Sequence, residues 1–465
     1  MWSRAFLWLS LALALTVAGS RLSFGQLLGP GDKDPTPAAD SAAGMGEVPR
    51  VGVDRPKPTY ALSERDPRIR GLKPFQALVD AAPAGSTLKP PPGQYAGPVT
   101  VDKPLTIDGG GKVTIDAGDR GTVFTLAASG ATLRGLHLTG SGGSHDTDDS
   151  CLDVRGDHDT IENLTVDNCL FGIDLKQSND NVVRGNTVRS KPFSLGMRGD
   201  GIRLWYSRRN LIERNQVIDS RDVVAWYSHD NVFRDNIGRG SRYSIHFMFA
   251  NNNIVEGNRF YNNSVGVFLM YTEGGVIRNN VFSHATGAAG MAIGFKESSG
   301  TLVEGNTIIY CAIGIGSDMS PFQPGTKVII RNNRIAFNGI GILFNSELGG
   351  NEMLGNDFEG NITHVAYGAG RAAVERNNWK GNYWDDYQGF DRDHDGIGDA
   401  PYELFAFSDT IWMDIPEARF FQSSPAMELL DFLERLAPFS TPDRLLKDDA
   451  PRFQPAFGGG FGGGT

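Results

Sequence analysis

The chain has 465 residues, among them 59 Gly, 24 Pro and 3 Cys, and 40% of it is hydrophobic. A formal net charge of −10 and a pI near 5.4 argue against the basic surface that a nucleic-acid partner requires. An odd cysteine count cannot be fully paired within one chain, and a length of 465 residues suits either several domains or one continuous repeat array.

The first 25 residues read as an export leader: Arg4, then an apolar run from Phe6 to Ala18, then small residues. That run is shorter than the roughly 20 residues a spanning helix needs. Residues 26–70 are rich in Pro, Asp, Ala and Gly, without apolar period, and read as a linker. A short helix is predicted from Pro74 to Ala82, ended by Pro83, and a turn at Pro92-Gly93 opens an extended run.

From about Val99 the chain repeats. Phrases such as "NVVRGNTV" (181–188), "NLIERNQV" (210–217), "NIVEGNRF" (253–260) and "VIIRNNRI" (328–335) place an Asn column at Asn186, Asn215, Asn236, Asn258, Asn280, Asn306, Asn333, Asn356 and Asn377. A second phrase alternates with the first: "GIDLKQS" (172–178), "GIRLWYS" (201–207), "DVVAWYS" (222–228), "SIHFMFA" (244–250) and "GVFLMYT" (266–272). Short apolar runs, Asn or Gly corners and a period near 22 residues predict an all-β protein, a right-handed parallel β-helix of about eleven coils. The corner Asn has a physical use: its amide bonds backbone and the Asn of the next coil, and it tolerates a left-handed conformation. Residues 71–415 form this rod, with an Asp-rich loop at 381–404. A C-terminal helical extension follows at 416–455 and a Gly-rich tail at 456–465. Cys151 and Cys169 sit beside repeat strands. They are read as buried thiols, although an oxidising compartment would let them pair.

Alternation in "SIHFMFA" and "GVFLMYT" sends Ile245, Phe247, Val267 and Leu269 inward. His246, Met248 and Met270 then point outward, the two Met one coil apart. Trp205, Trp226, Tyr206, Tyr227, Phe249 and Tyr271 surround them in the neighbouring columns. Imidazole with thioethers is a soft donor set that suits Cu(I). An outward apolar stripe equally marks a partner surface or packing under a second layer, and a copper site and an interface can coincide. In "DRDHDGIGD" the carboxylates Asp391, Asp393, Asp395 and Asp399, with Gly396 at the turn, read as a structural Ca²⁺ loop. It is not an EF-hand, because Tyr402 stands where the bidentate Glu belongs. In "SPAMELLDFLERL" Met427, Leu430 and Leu433 share one face of a helix that either caps the rod or grips a partner. A glycan-modifying enzyme, such as a lyase or epimerase, is the alternative from another class. Asp174 and Arg203 share an outward column, with His145 and His158 nearby, but that column turns apolar at Val224 and Phe268 instead of staying polar over several sugar units. A plain scaffold rod is the third reading.

The stretch from about Pro74 to Pro455 resembles the NosD family of β-helix proteins. The resemblance is carried by the entry coil "PPGQYAGPVTVDKPLTIDGGGKVTIDAG", the Asn repeats, "GNYWDDYQGFDRDHDGIGDAPYEL" (381–404) and "SPAMELLDFLERLAPF" (424–439). The resemblance implies a periplasmic, non-enzymatic component of an ABC system that matures nitrous oxide reductase. Its expected partners are a NosY-type permease, a NosF-type ATPase, a NosL-type copper chaperone and nitrous oxide reductase itself. Its expected cargo is Cu(I), bound transiently and passed on by ligand exchange, with sulfur supply as a further role.

Overall fold

The computed structural model describes residues 69–457, except 288, 347, 369–371, 407–408, 422–423 and 437–442. The leader, nearly all of the linker and the tail from residue 458 lie outside the described residues.

Short strands stack coil upon coil in three parallel columns. One column is a separate sheet of 12 strands. The other two merge into a second sheet, joined where Thr132–Thr139 pairs with strands of both columns. The rod has about 13 turns, more than the eleven expected. Leu136 and Leu164 hold the corner position in two early coils, which the count of eleven includes, but the coils before them, carrying Gly93–Ala96 and Thr106–Asp116, have no such phrase and escape it. A short helix, α1 (Gln76–Ala81), covers the N-terminal end, one to two residues inside the predicted bounds. Its neighbour Phe75 is buried edge-on against Tyr95.

Three devices hold the coils in register. Inward Ile, Val, Leu and Phe form one continuous buried core. The corner Asn residues form ladders. Asn186 Nδ2 donates to Asn215 Oδ1 at 2.9 Å, Asn215 to Asn236 at 3.0 Å, and the chain of bonds runs on through Asn356. The last rung is Asn382, not Asn377. Residues 372–375 are helical, so "AAVERNNW" supplies no corner, and Asn377 instead ends a second ladder by accepting from Asn351. The third device is an outer column of alternating charge: Arg134, Glu162, Arg184, Glu213, Arg234, Glu256, Arg278, Glu304 and Arg331 are successive register partners. Each such exposed pair is worth little alone. A slip by one coil, however, would set like charges side by side.

Cys151 and Cys169 form a disulfide with a Cα–Cα distance of 5.5 Å, which corrects the thiol reading. Both thiols lie inside the core on adjacent elements, so burial as small hydrophobes and pairing coincide. Cys311 is free and buried, and burial pushes its thiol up to about 11.

At the far end the rod is closed by a strap. The strand Asp443–Asp448 pairs antiparallel with Tyr402–Ala406 and touches the last coil at Trp379. Its Asp448 stands where the next Asn of the ladder would be. It accepts from the Asn382 backbone N–H and Nδ2, both at 2.9 Å.

Candidate functional site on the outer face of the 12-stranded sheet

Seven successive strands build the face: β1 (Phe171–Lys176), β2 (Ile202–Trp205), β3 (Asp222–Trp226), β4 (Tyr243–Met248), β5 (Val265–Met270), β6 (Met291–Lys296) and β7 (Ile313–Asp318). Ile245, Phe247, Val267 and Leu269 point inward and are buried, as the alternation requires. Register then sets the outer columns. His246 lies between Val224 and Phe268, and Met248 between Trp226 and Met270, with Lys296 next above Met270.

His246 is 7% exposed, and neither ring nitrogen has a hydrogen-bond partner. Its cover has a local cause. Between β3 and β4 the register shifts by one residue, a β-bulge between Asp222 and Val224. The extra residue brings Tyr243 and His246 onto the same outer face, their rings stacked 4.8 Å apart. Trp226 and Phe268 meet the imidazole edge-on at 6.4 and 6.3 Å. Burial, with the Arg242 guanidinium nearby, pushes the imidazole down to about 3, so it is neutral at physiological pH. Trp226 Nε1 and Ser244 Oγ are also buried without partners. Ser244 lines the apolar space inside the rod, so the orphaned polar atoms on the outer face are the two His246 nitrogens and, one coil below, Trp226 Nε1. An unpaired buried imidazole is what a site for a small ligand or ion presents, since such atoms are costly. Neutral imidazole beside two half-buried thioethers fits a soft monovalent cation. Met291 is a third sulfur on this face, missed in the sequence because its outward placement depends on the same irregular register. It covers the gap at Gly294, where an added Cβ would lie 2.7 Å from its sulfur.

The aromatic surround takes a specific form. Tyr206, Tyr227, Phe249 and Tyr271 stack with centroids 4.8, 5.2 and 4.9 Å apart and planes within 13°. All four hold positive φ near 50° at one corner of successive coils. Their faces cover one another, so they turn mainly ring edges outward and leave little open face for a sugar to stack on. Trp205 and Trp226 pack edge-to-face beside them at 5.5 Å.

Toward the N-terminal end the face is charged but satisfied. Asp174 is fully buried and takes Arg203 at 2.9 and 2.6 Å and Lys176 at 3.2 Å. Arg203 also bonds Asp148 and lies over the Phe171 ring. A glycan-modifying reaction needs a carboxylate free to exchange a proton, and Asp174 is held in ion pairs. His145 packs edge-on against Phe171.

The Asp-rich loop brings three of its four predicted carboxylates together. One oxygen each of Asp391, Asp393 and Asp395 lies within 4.8 Å of the others, and Asp391 Oδ1 is buried without a partner. Asp399 instead accepts from the Arg392 backbone N–H at 2.8 Å. A second cluster, unforeseen in the sequence, joins His364 Nε2 to Asp385 at 2.9 Å and to Asp386 at 3.6 Å. Although burial opposes the charge, the two carboxylates lift the imidazole to about 9. Asn361 Nδ2 lies 3.4 Å from Nδ1, and the Nε2–H of the imidazolium faces Asp385.

The C-terminal helix spans Pro425–Leu436, here α3, after α2 (Asp409–Asp414) and a 3₁₀ turn at Pro416–Phe421. Met427 packs against the core, but Leu430 and Leu433 are exposed, together with Leu429, Phe432 and Leu436. Phe420, on the preceding turn, is 87% exposed.

Residues 188–389 match the family described as "Periplasmic copper-binding protein (NosD)". The chain is 29% identical over 388 residues to a "Probable ABC transporter binding protein NosD" of Pseudomonas aeruginosa, covering 74% of this chain and 83% of that protein. A protein of the same description from Stutzerimonas stutzeri is 36% identical over 109 residues, 23% of this chain and 25% of that protein. Among solved structures, the A-module of the Azotobacter vinelandii mannuronan C-5 epimerase AlgE6 aligns with a TM-score of 0.52 at 17% identity, over 63% of this chain and 90% of that one. That likeness is one of fold.

Proposed function

We propose, from the premise that this chain belongs to the NosD family, that it is the periplasmic binding component of an ABC transporter and carries Cu(I) on the outer face of its 12-stranded sheet. The observation that carries the reading is His246, buried, neutral and unpaired, beside the stacked Met248 and Met270. The ion is cargo. His246 and the two thioethers hold it through soft, uncharged donors, and ligand exchange with a chaperone of NosL type and with nitrous oxide reductase loads and unloads it. The destination is the copper–sulfur centre of that enzyme, and support of its sulfur supply belongs to the same reading. No covalent chemistry by the chain is required. The disulfide is compatible with an oxidising compartment. No helix among the described residues is long and apolar enough to cross a membrane.

Anaerobic Cu(I) titration against a competing chelator tests the site. The mature protein is expected to bind about one Cu(I) per chain, and a His246→Ala, Met248→Leu, Met270→Leu variant of unchanged circular dichroism none. Equal binding by the two proteins sinks the assignment.

The transporter contact is assigned to α3. Its exposed Leu429, Leu430, Phe432, Leu433 and Leu436 form an apolar surface with acidic Glu428 on the same helix, which suits an apolar protein cavity better than an anionic lipid surface. Leu430→Glu with Leu433→Glu is expected to abolish co-purification with the NosY- and NosF-type permease–ATPase complex in detergent while leaving Cu(I) affinity unchanged. Retained co-purification would remove α3 from the interface.

Asp391, Asp393 and Asp395 are assigned a structural Ca²⁺, to which the unpaired Asp391 Oδ1 contributes. Calcium is expected to raise the thermal midpoint by a few degrees and chelation to reverse it. An Asp393→Asn, Asp395→Asn variant should lose that response. A midpoint indifferent to calcium in the parent protein ends the proposal.

A further inference from the structure

We infer that Lys296 limits how tightly this face holds a cation at Met248 and Met270, which keeps the cargo transferable; the inference rests on the Cu(I) reading above. Lys296 is the register partner of Met270 on the next strand, so the two backbones lie about 4.8 Å apart on the same outer column. Its Nζ sits 5.8 Å from the centre of the Tyr271 ring, at the top of the aromatic stack. The other cations on β1 and β2 have carboxylate partners: Lys176 reaches Asp148 and Asp174, and Arg203 reaches Asp174. Arg242, just before β4, is paired with Asp222. Among the described residues Lys296 makes no ion pair within 4.0 Å. Asp318, its partner on β7, has a carboxyl pushed up by burial and only partly drawn back by the Lys296 charge.

Here the donors are uncharged, and the neighbouring column position carries an ammonium without a carboxylate partner in contact. A monovalent cation at Met270 is repelled by that ammonium, while Asp200 and Asp222, on the Trp226 side, are held by Arg221 and Arg242, and Asp318 lies one coil further on. At separations of about 5–8 Å and an effective dielectric constant of about 20–40, the repulsion corresponds to roughly a ten- to hundredfold loss of affinity. An exported carrier that must release its ion to another protein gains from that loss.

The test is anaerobic Cu(I) competition on the mature protein, with folding checked by circular dichroism. Lys296→Gln is expected to bind Cu(I) about tenfold or more tightly than the parent. Lys296→Met, which adds a third thioether, should bind more tightly still, and Lys296→Arg should match the parent. Lys327→Gln removes the same charge from a surface lysine paired with Glu352 and should change nothing. In the unsubstituted protein, a non-coordinating salt should tighten binding by screening the ammonium, and the Lys296→Gln variant should not respond. Equal affinities for parent and Lys296→Gln, together with loss of binding in the His246, Met248, Met270 variant, overturn the role of Lys296 and leave the copper site standing. A parent protein that binds no Cu(I) overturns both.

Discussion

Asp159→Asn is expected to stabilise the protein at pH 7.5 and to have little effect at pH 4. Asp159 occupies a rung of an Asn ladder. Its Oδ1 accepts from the Ala131 N–H at 2.7 Å, and its own N–H donates to Asn181 Oδ1 at 2.8 Å. On the next rung the amide Nδ2 of Asn181 donates to Asn210 at 2.9 Å. Asp159 has an oxygen in that place, buried and without a partner. Burial, helped by the charge of Asp157, pushes its carboxyl up to about 7 from an ordinary value of 3.8. The sign follows from linkage. The folded state holds a proton that the unfolded chain releases, so this residue costs nothing below about pH 4, and its cost grows as pH rises toward 7. The full cost is on the order of 2–4 kcal/mol. An Asn restores a donor to the unpaired position and does not titrate. Chemical denaturation of both proteins between pH 4 and 8 measures the difference. His246 and His364 titrate in both proteins and cancel from it. A difference that stays flat with pH would mean that Asp159 is not protonated on folding.

The recurring Asn and its period near 22 made the β-helix legible, because a ladder of amides at one corner leaves few alternatives to Asn, although the left-handed residue of that corner is the one before it (Gly185, Arg214, Asp235, Gly257, Asn279) and not the ladder Asn that the sequence reading expected there. The same period placed Met248 opposite Met270 and His246 opposite Phe268. The sequence was silent where a position is held for other reasons. The last rung falls on Asn382 because 372–375 winds into a helix. A bulge is invisible in a two-residue alternation, so neither the burial of His246 under Tyr243 nor the outward sulfur of Met291 was readable. Long-range partners are harder still: the pairing of Cys151 with Cys169 and the convergence of Asp385 and Asp386 on His364 depend on how coils stack, not on local pattern. Asp448, 66 residues beyond the Asn it completes, shows the same limit.

Asp448→Ala should uncouple the two ends of the proposed function. One buried carboxylate here accepts from the backbone N–H groups of Gly381, Asn382 and Ala450, from Asn382 Nδ2 and, at 3.4 Å, from Trp384 Nε1. Deleting it leaves several buried donors without an acceptor, at about 1–3 kcal/mol each where water cannot replace it. Asp448→Asn keeps the volume but turns an amide toward one set of donors, so it should lie between the parent and the alanine variant. In a repeat array each coil is coupled chiefly to its neighbours. The damage should therefore stay local: strand 443–448 loosens, and with it the Tyr402–Ala406 strand it pairs with and the segment leading to α2 and α3. Four strands of the outer sheet separate Met270 from that end of the rod, so the copper stripe should be untouched. Amide hydrogen exchange is the direct measurement. Protection should fall at Gly381 and Asn382 and persist through 202–270, with Cu(I) affinity unchanged and transporter capture weakened. Unchanged protection at Asn382 would show that Asp448 does not terminate the ladder. Loss of protection reaching β4 and β5 would show that the rod unfolds as one unit and that the carrier and docking functions cannot be separated.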